Sequence, residues 1–146
     1  MRELPRQLTA EELAELFEGR TRFVELLAEQ DDPLEHAGEV IATLSNDEKH
    51  AVLDAHPAIG QTKGLSARSA AEQGADADPE VLAELARLNA AYEERHGFRF
   101  VVFVNRRPKA EILDVLRVRI DNPTGVELET ALAELVAIAT DRWRRG

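Results

Sequence analysis

Phe98-Arg99-Phe100-Val101-Val102-Phe103-Val104 is almost continuously apolar, β-branched and aromatic, the signature of a buried extended segment. A strand needs a neighbour to satisfy its backbone amides and carbonyls, and no second run of this type exists in the 146 residues. The stretch therefore reads as an extended connector threaded through a helical core, its main-chain groups left to bond to something other than a sheet. That reading decides the fold class. The chain is expected to form a single all-α domain over residues 1–146, built from about eight helices.

The flanks agree. Upstream, Asp78 and Pro79 supply an N-cap and a proline in the first turn of a helix that runs to about His96 and stops at Gly97. Its apolar stripe is Val81, Leu82, Leu85, Leu88, Ala91 and Tyr92. Downstream, Pro108 starts a helix bearing Ile112, Leu113, Leu116 and Ile120, and Thr124-Gly125-Val126-Glu127 caps a last one reaching Trp143. Nearer the start, Thr9 with Glu12 and Ser45 with Glu48 are capping-box pairs. The first box opens a helix burying Leu13, Leu16 and Phe17. The second opens one that buries Val52 and Leu53 and must end near His56, because Pro57 disfavours helical geometry in the residue before it. Between them lie a helix over 21–29 and another with Pro33 in its first turn, carrying Val40, Ile41 and Leu44. The long connection over 57–78 has helical composition at 66–73, which predicts a short helix inside it; connections of this length are usually functional or disordered.

Composition excludes several functions. Acids outnumber bases 28 to 18, so the formal net charge is −10, a surface that repels nucleic-acid phosphates and anionic lipid. The absence of cysteine removes disulfides, thiolate nucleophiles and thiolate metal sites together. No apolar run approaches the ~20 residues a membrane span requires. Met1-Arg2-Glu3-Leu4-Pro5 has no hydrophobic signal core, so the expected location is the cytoplasm.

Three polar clusters border the long connection. His56-Pro57-Ala58-Ile59-Gly60 pins an imidazole at a helix end, where it either exchanges protons near neutral pH or simply complements the helix dipole. Ser69-Ala70-Ala71-Glu72-Gln73, if helical, puts a hydroxyl, a carboxylate and a carboxamide on one face, suited to a small N–H- and C=O-rich molecule or to plain solvation. In the third, the 98–104 connector and the Asn105-Arg106-Arg107 turn either clamp a planar ligand and receive its carboxylate, or form core packing with a basic surface turn. His50 and His56 are not at the i,i+4 spacing of a helical zinc site, so no metal is expected. His36 reads as an exposed helix residue, His96 as a dipole-favoured last-turn residue and Trp143 as a packing anchor.

In order, His-Pro-x-Ile-Gly, Ser-x-x-Glu-Gln, Leu-Asn-x-x-Tyr and Gly-Phe-x-Phe-Val-Val, with the late Ile-Leu-x-x-Leu-x-x-Arg helix over 112–119, resemble the 2-oxo-4-hydroxy-4-carboxy-5-ureidoimidazoline (OHCU) decarboxylases of urate degradation. The resemblance implies an all-α homodimeric enzyme that converts OHCU to (S)-allantoin and CO2 with no metal or organic cofactor. Association with a hydroxyisourate hydrolase is left open. Motif by motif, it makes His56 the catalytic proton donor and Pro57 a wall of the pocket. Ser69, Ala70, Ala71, Glu72 and Gln73 become the substrate-binding face, with Glu72 also catalytic and holding His56 protonated. Phe100, Val101, Val102, Phe103 and Val104 offer main chain to the ring or its ureido arm. The chain departs from the family's Phe-Gly-Phe-Pro-Phe at His96-Gly97-Phe98-Arg99-Phe100, where Arg99 restores a backbone N–H and adds a charge. Two other readings stand beside this one: a non-catalytic helical interaction module of the same fold, and a lyase for a related ureide.

Overall fold

Local capping chemistry sets most of the helix boundaries. The structure, a computed structural model, describes residues 3–57 and 78–146, and among these are seven helices. They are α1 (Ala10–Phe17), α2 (Arg22–Ala28), α3 (Ala37–Ala42), α4 (Asn46–Asp54), α5 (Pro79–His96), α6 (Lys109–Arg119) and α7 (Thr124–Arg145). The helix expected over 66–73 lies outside the described residues. Both capping boxes form as read: the Thr9 and Ser45 hydroxyls accept from the N–H groups of Glu12 and Glu48, whose carboxylates accept in return from the N-cap N–H. Asp78 caps α5, and Gly97 closes it in the left-handed region at φ 81°, which an L side chain adopts only with strain.

Two boundaries differ from expectation. Pro33 is buried in a turn ahead of α3, not in its first turn, because Asp32 is left-handed at φ 50° and its carbonyl accepts from Glu35 and His36. His36 occupies the N-cap, its Nδ1 3.1 Å from the Asp31 and Asp32 carbonyls, and is only partly exposed. Thr124 is the first residue of α7 and not its cap; its hydroxyl is 2.7 Å from His96 Nδ1, while Glu127 turns inward.

α7 ties the molecule together. It packs against α1, α3, α4 and α5, while α2 joins α1 to α3 and α4, and α6 lies along α5. Its buried stripe is Glu127, Ala131, Leu132, Leu135, Ile138, Ala139 and Arg142, at the three- and four-residue spacing of one helical face. One continuous apolar cluster results, running from Leu8 through the Phe17–Phe23 edge-to-face pair to Ile138. Each large side chain buried in it contributes roughly 1.5–3 kcal/mol. None of the described helices is long and apolar enough to cross a membrane.

The 98–104 segment runs through this core without joining a sheet, as its lack of a partner run predicts. Phe98, Phe100, Val101, Val102 and Val104 are buried and Phe103 is half-buried. Side chains supply the partners that a sheet would otherwise provide. Arg119 Nη1 donates to the Val101 carbonyl at 2.8 Å, and Arg107 donates to those of Phe103 and Val104 at 2.6 and 3.1 Å. The Phe103 N–H reaches Glu134 at 3.5 Å, and the Arg99 N–H donates to Asp54 Oδ1 at 3.1 Å.

Behind the segment sits a buried polar network. Glu127 accepts from Tyr92 Oη at 2.6 Å, Arg119 Nε at 2.8 Å and Asn122 Nδ2 at 2.9 Å. The Arg119 guanidinium lies over the Phe100 ring, 4.6 Å from its centroid. Burial pushes the Glu127 carboxyl up, but hydrogen bonds from Tyr92 and Asn122 and the Arg119 charge outweigh it and hold the group ionised. Burial and the bond to Glu127 raise the Tyr92 phenol well above its ordinary value.

Candidate active site

The imidazole at the end of α4 sits where two helix C-termini converge. α1 ends at Glu18, left-handed at φ 64°, and a Cβ placed on the next residue, Gly19, would lie 3.2 Å from that of Ala55. The absence of a side chain at Gly19 thus lets the ends of α1 and α4 approach. Helix C-termini leave carbonyls unsatisfied and carry partial negative charge, so two such ends side by side call for cations. An arginine answers each. Arg142 of α7, 1% exposed, donates through Nη1 to the Leu16 carbonyl at 2.9 Å and lies 3.1 Å from Glu18 Oε1. Arg99 of the connector donates to the His56 carbonyl at 2.7 Å and approaches that of Asp54 at 3.4 Å. Its Nε pairs with Glu93 of α5 at 3.1 Å.

His56 lies between these cations. Its N–H closes the last turn onto the Leu53 carbonyl at 3.1 Å, and Pro57, half-buried, follows it. The ring is 8% exposed, and Nδ1 has no hydrogen-bond partner among the described residues. Burial, and then the charge of Arg142, lower its pKa to about 4; Glu18 opposes the shift and Arg99 adds to it. Histidine so placed is neutral at neutral pH. Glu72, the residue expected to hold it protonated, lies outside the described residues.

The expected site residues divide in three. Arg99 brings the start of the connector to the His56-Pro57 turn, and Phe100, Val101, Val102, Phe103 and Val104 run on from it into the core. Ser69, Ala70, Ala71, Glu72 and Gln73 lie outside the described residues. In the Asn105-Arg106-Arg107 turn, Asn105 and Arg106 are left-handed at φ 47° and 63° and exposed, while Arg107 folds back onto the connector.

Sequence reading did not place Arg142, Glu127, Arg119 or His96 in the core, where all four are buried. A signal existed. Each falls on the apolar stripe of its helix, Arg142 following Leu135, Ile138 and Ala139, and Arg119 following Ile112 and Leu116. A charged group on a core face is expensive unless it is paired.

The chain is thus a helical domain with a buried imidazole beside two arginine-capped helix ends. The OHCU decarboxylase family description matches residues 2–144, and the chain belongs to that family. It is 38% identical over 93 residues to the uric acid degradation bifunctional protein TTL of Arabidopsis thaliana, covering 58% of this chain and 29% of that protein. With the 2-oxo-4-hydroxy-4-carboxy-5-ureidoimidazoline decarboxylase of Haloferax volcanii it shares 34% identity over 100 residues, 65% of this chain and 59% of the relative. Among solved structures it is similar to an OHCU decarboxylase crystallised in the presence of (S)-allantoin. The TM-score is 0.73 at 25% identity, covering 90% of this chain and 94% of that one. A crystal structure of (S)-allantoin synthase shares the fold, with a TM-score of 0.67 at 23% identity over 91% of this chain and 47% of that one. The matched regions span less than two thirds of both curated relatives.

Proposed function

We propose that this protein decarboxylates OHCU to (S)-allantoin and CO2, as the names of its relatives indicate for them. One observation carries the mechanism: His56 is buried and neutral, with Nδ1 unengaged by the described residues. The departing carboxylate of OHCU sits on the hydroxyl-bearing carbon, beside a ring C=N. When the C–CO2 bond breaks, its electron pair forms a C=C bond and the imine electrons take a proton from solvent water onto nitrogen, leaving an enol. The substrate is its own electron sink, so the chemistry asks for no organic cofactor. The enol hydroxyl must then lose a proton and the adjacent carbon must gain one, from a single face if one enantiomer is to result. Neutral His56 takes the hydroxyl proton and, as imidazolium, returns it to that carbon. Glu72, Ser69 and Gln73 complete the reading as groups that hold the ureido arm and hydroxyl, and Phe100, Val101, Val102, Phe103 and Val104 as the wall along which the ring lies.

Positioning supplies most of the acceleration and proton transfer about 10²–10⁴-fold. OHCU generated in situ from urate, followed by circular dichroism, tests this: the protein is expected to speed the appearance of optically active allantoin. His56→Ala is expected to remove that signal while the far-ultraviolet spectrum stays helical. A trace matching the enzyme-free control would leave the helical interaction module and the lyase for a related ureide. The homodimer belongs to the same reading, and sedimentation velocity checks it.

A further inference from the structure

We infer that Arg99 is a positioning residue for His56: its guanidinium and backbone N–H fasten the His56-Pro57 turn to α5 and the connector, and it does not contact the substrate. The inference rests on the proposed role of His56. Arg99 makes four bonds that converge on this turn: Nη1 to the carbonyls of His56 and Asp54, Nε to Glu93, and its own N–H to Asp54 Oδ1. The donors of one side chain thus join the end of α4, the body of α5 and the start of the connector. The His56 carbonyl is itself one of the bonded groups, so the main chain that carries the ring is fastened directly. That main chain is held on the N-terminal side by the Leu53 bond, at the carbonyl by Arg99, and beyond by the ring of Pro57. The N–H that arginine restores at this position is used by Asp54, and the charge it adds is used by Glu93 and the α4 carbonyls. With both functions occupied inside the protein, Arg99 is a brace rather than a receptor for the substrate carboxylate.

Among the described residues, the charged groups around His56 are Arg142 from α7, Glu18 from the end of α1, Arg99 from the connector with its partner Glu93 on α5, and Asp54 on α4 itself. Removing Arg99 leaves Arg142 and Glu18 in place, so the ring stays buried but loses one of its two neighbouring cations.

Two variants and two readouts separate the possibilities. Arg99→Gln is expected to lower kcat about 10-fold with KM changed less than about 2-fold, and to lower the enantiomeric excess of allantoin. In protein carrying ¹⁵N-labelled histidine, it should also move the His56 titration midpoint upward from about 4. Arg99→Lys, which keeps the charge but not the fork, is expected to restore the midpoint and only part of kcat. A rise in KM at constant kcat in both variants would make Arg99 a substrate ligand and overturn the inference. So would unchanged kcat, enantiomeric excess and midpoint in folded Arg99→Gln. If the wild-type protein itself fails to turn over OHCU, the functional reading falls, and the titration midpoint and His56 amide shift still decide whether Arg99 fixes the turn.

Discussion

His56 links stability and activity to pH through one buried ring. Its pKa is depressed from an ordinary value near 6.5 to about 4, so the unfolded chain binds a proton that the folded protein refuses. Its contribution is fully present above about pH 6.5 and is lost as pH falls toward 4. Urea denaturation across that window is expected to show falling stability, and His56→Gln to flatten the slope. Activity should follow the same group. Because the base must start neutral, kcat/KM is expected to hold level through pH 5 and decline only near 4, where an unperturbed histidine would decline near 6.5. At Glu127 the sign of the shift is the same but the group is charged. Glu127→Ala would strand the Arg119 guanidinium and the Tyr92 hydroxyl in the core, and chemical denaturation is expected to register a loss of about 3–5 kcal/mol.

Elements bounded by local chemistry were legible from sequence, because a cap involves residues three apart. Thr9 with Glu12, Ser45 with Glu48, and Asp78 with Pro79 each place a helix start correctly. The connector was legible in kind but not in its bonding. Its partners, Asp54, Arg119 and Glu134, stand 45, 18 and 31 residues away, and no periodicity announces them. The end of α4 at His56 was legible from the proline that follows it; the two arginines beside it were not, since neither Arg99 nor Arg142 is near His56 in the chain. Gly97 allows a clean test at this scale. A Cβ there would meet nothing closer than His50 Cε1 at 3.9 Å, so only backbone strain at φ 81° opposes it. Gly97→Ala is expected to cost about 1–2 kcal/mol by thermal or urea unfolding, without altering the spectrum of the folded state.

Across the whole molecule, the last helix completes what the first begins. Arg142 caps α1 at Leu16, and the Trp143 indole donates to the Glu3 carbonyl at 2.7 Å. Arg144, Arg145 and Gly146 are exposed, and the Arg145–Asp141 pair is a surface contact of little worth. Deleting residues 144–146 is therefore expected to leave the melting temperature nearly unchanged, whereas deleting 142–146 should abolish the cooperative melt. Calorimetry on the two truncations distinguishes them.

The same clasp has a temporal side. The guanidinium that closes the first helix is encoded 126 residues after the carbonyl it binds. A nascent chain on the ribosome can wind its early helices but cannot lock them until Arg142 has been made and has cleared the exit tunnel. Native packing is thus postponed until then, and a chain broken before Arg142 would be a polypeptide that the cell's quality control treats as unfinished.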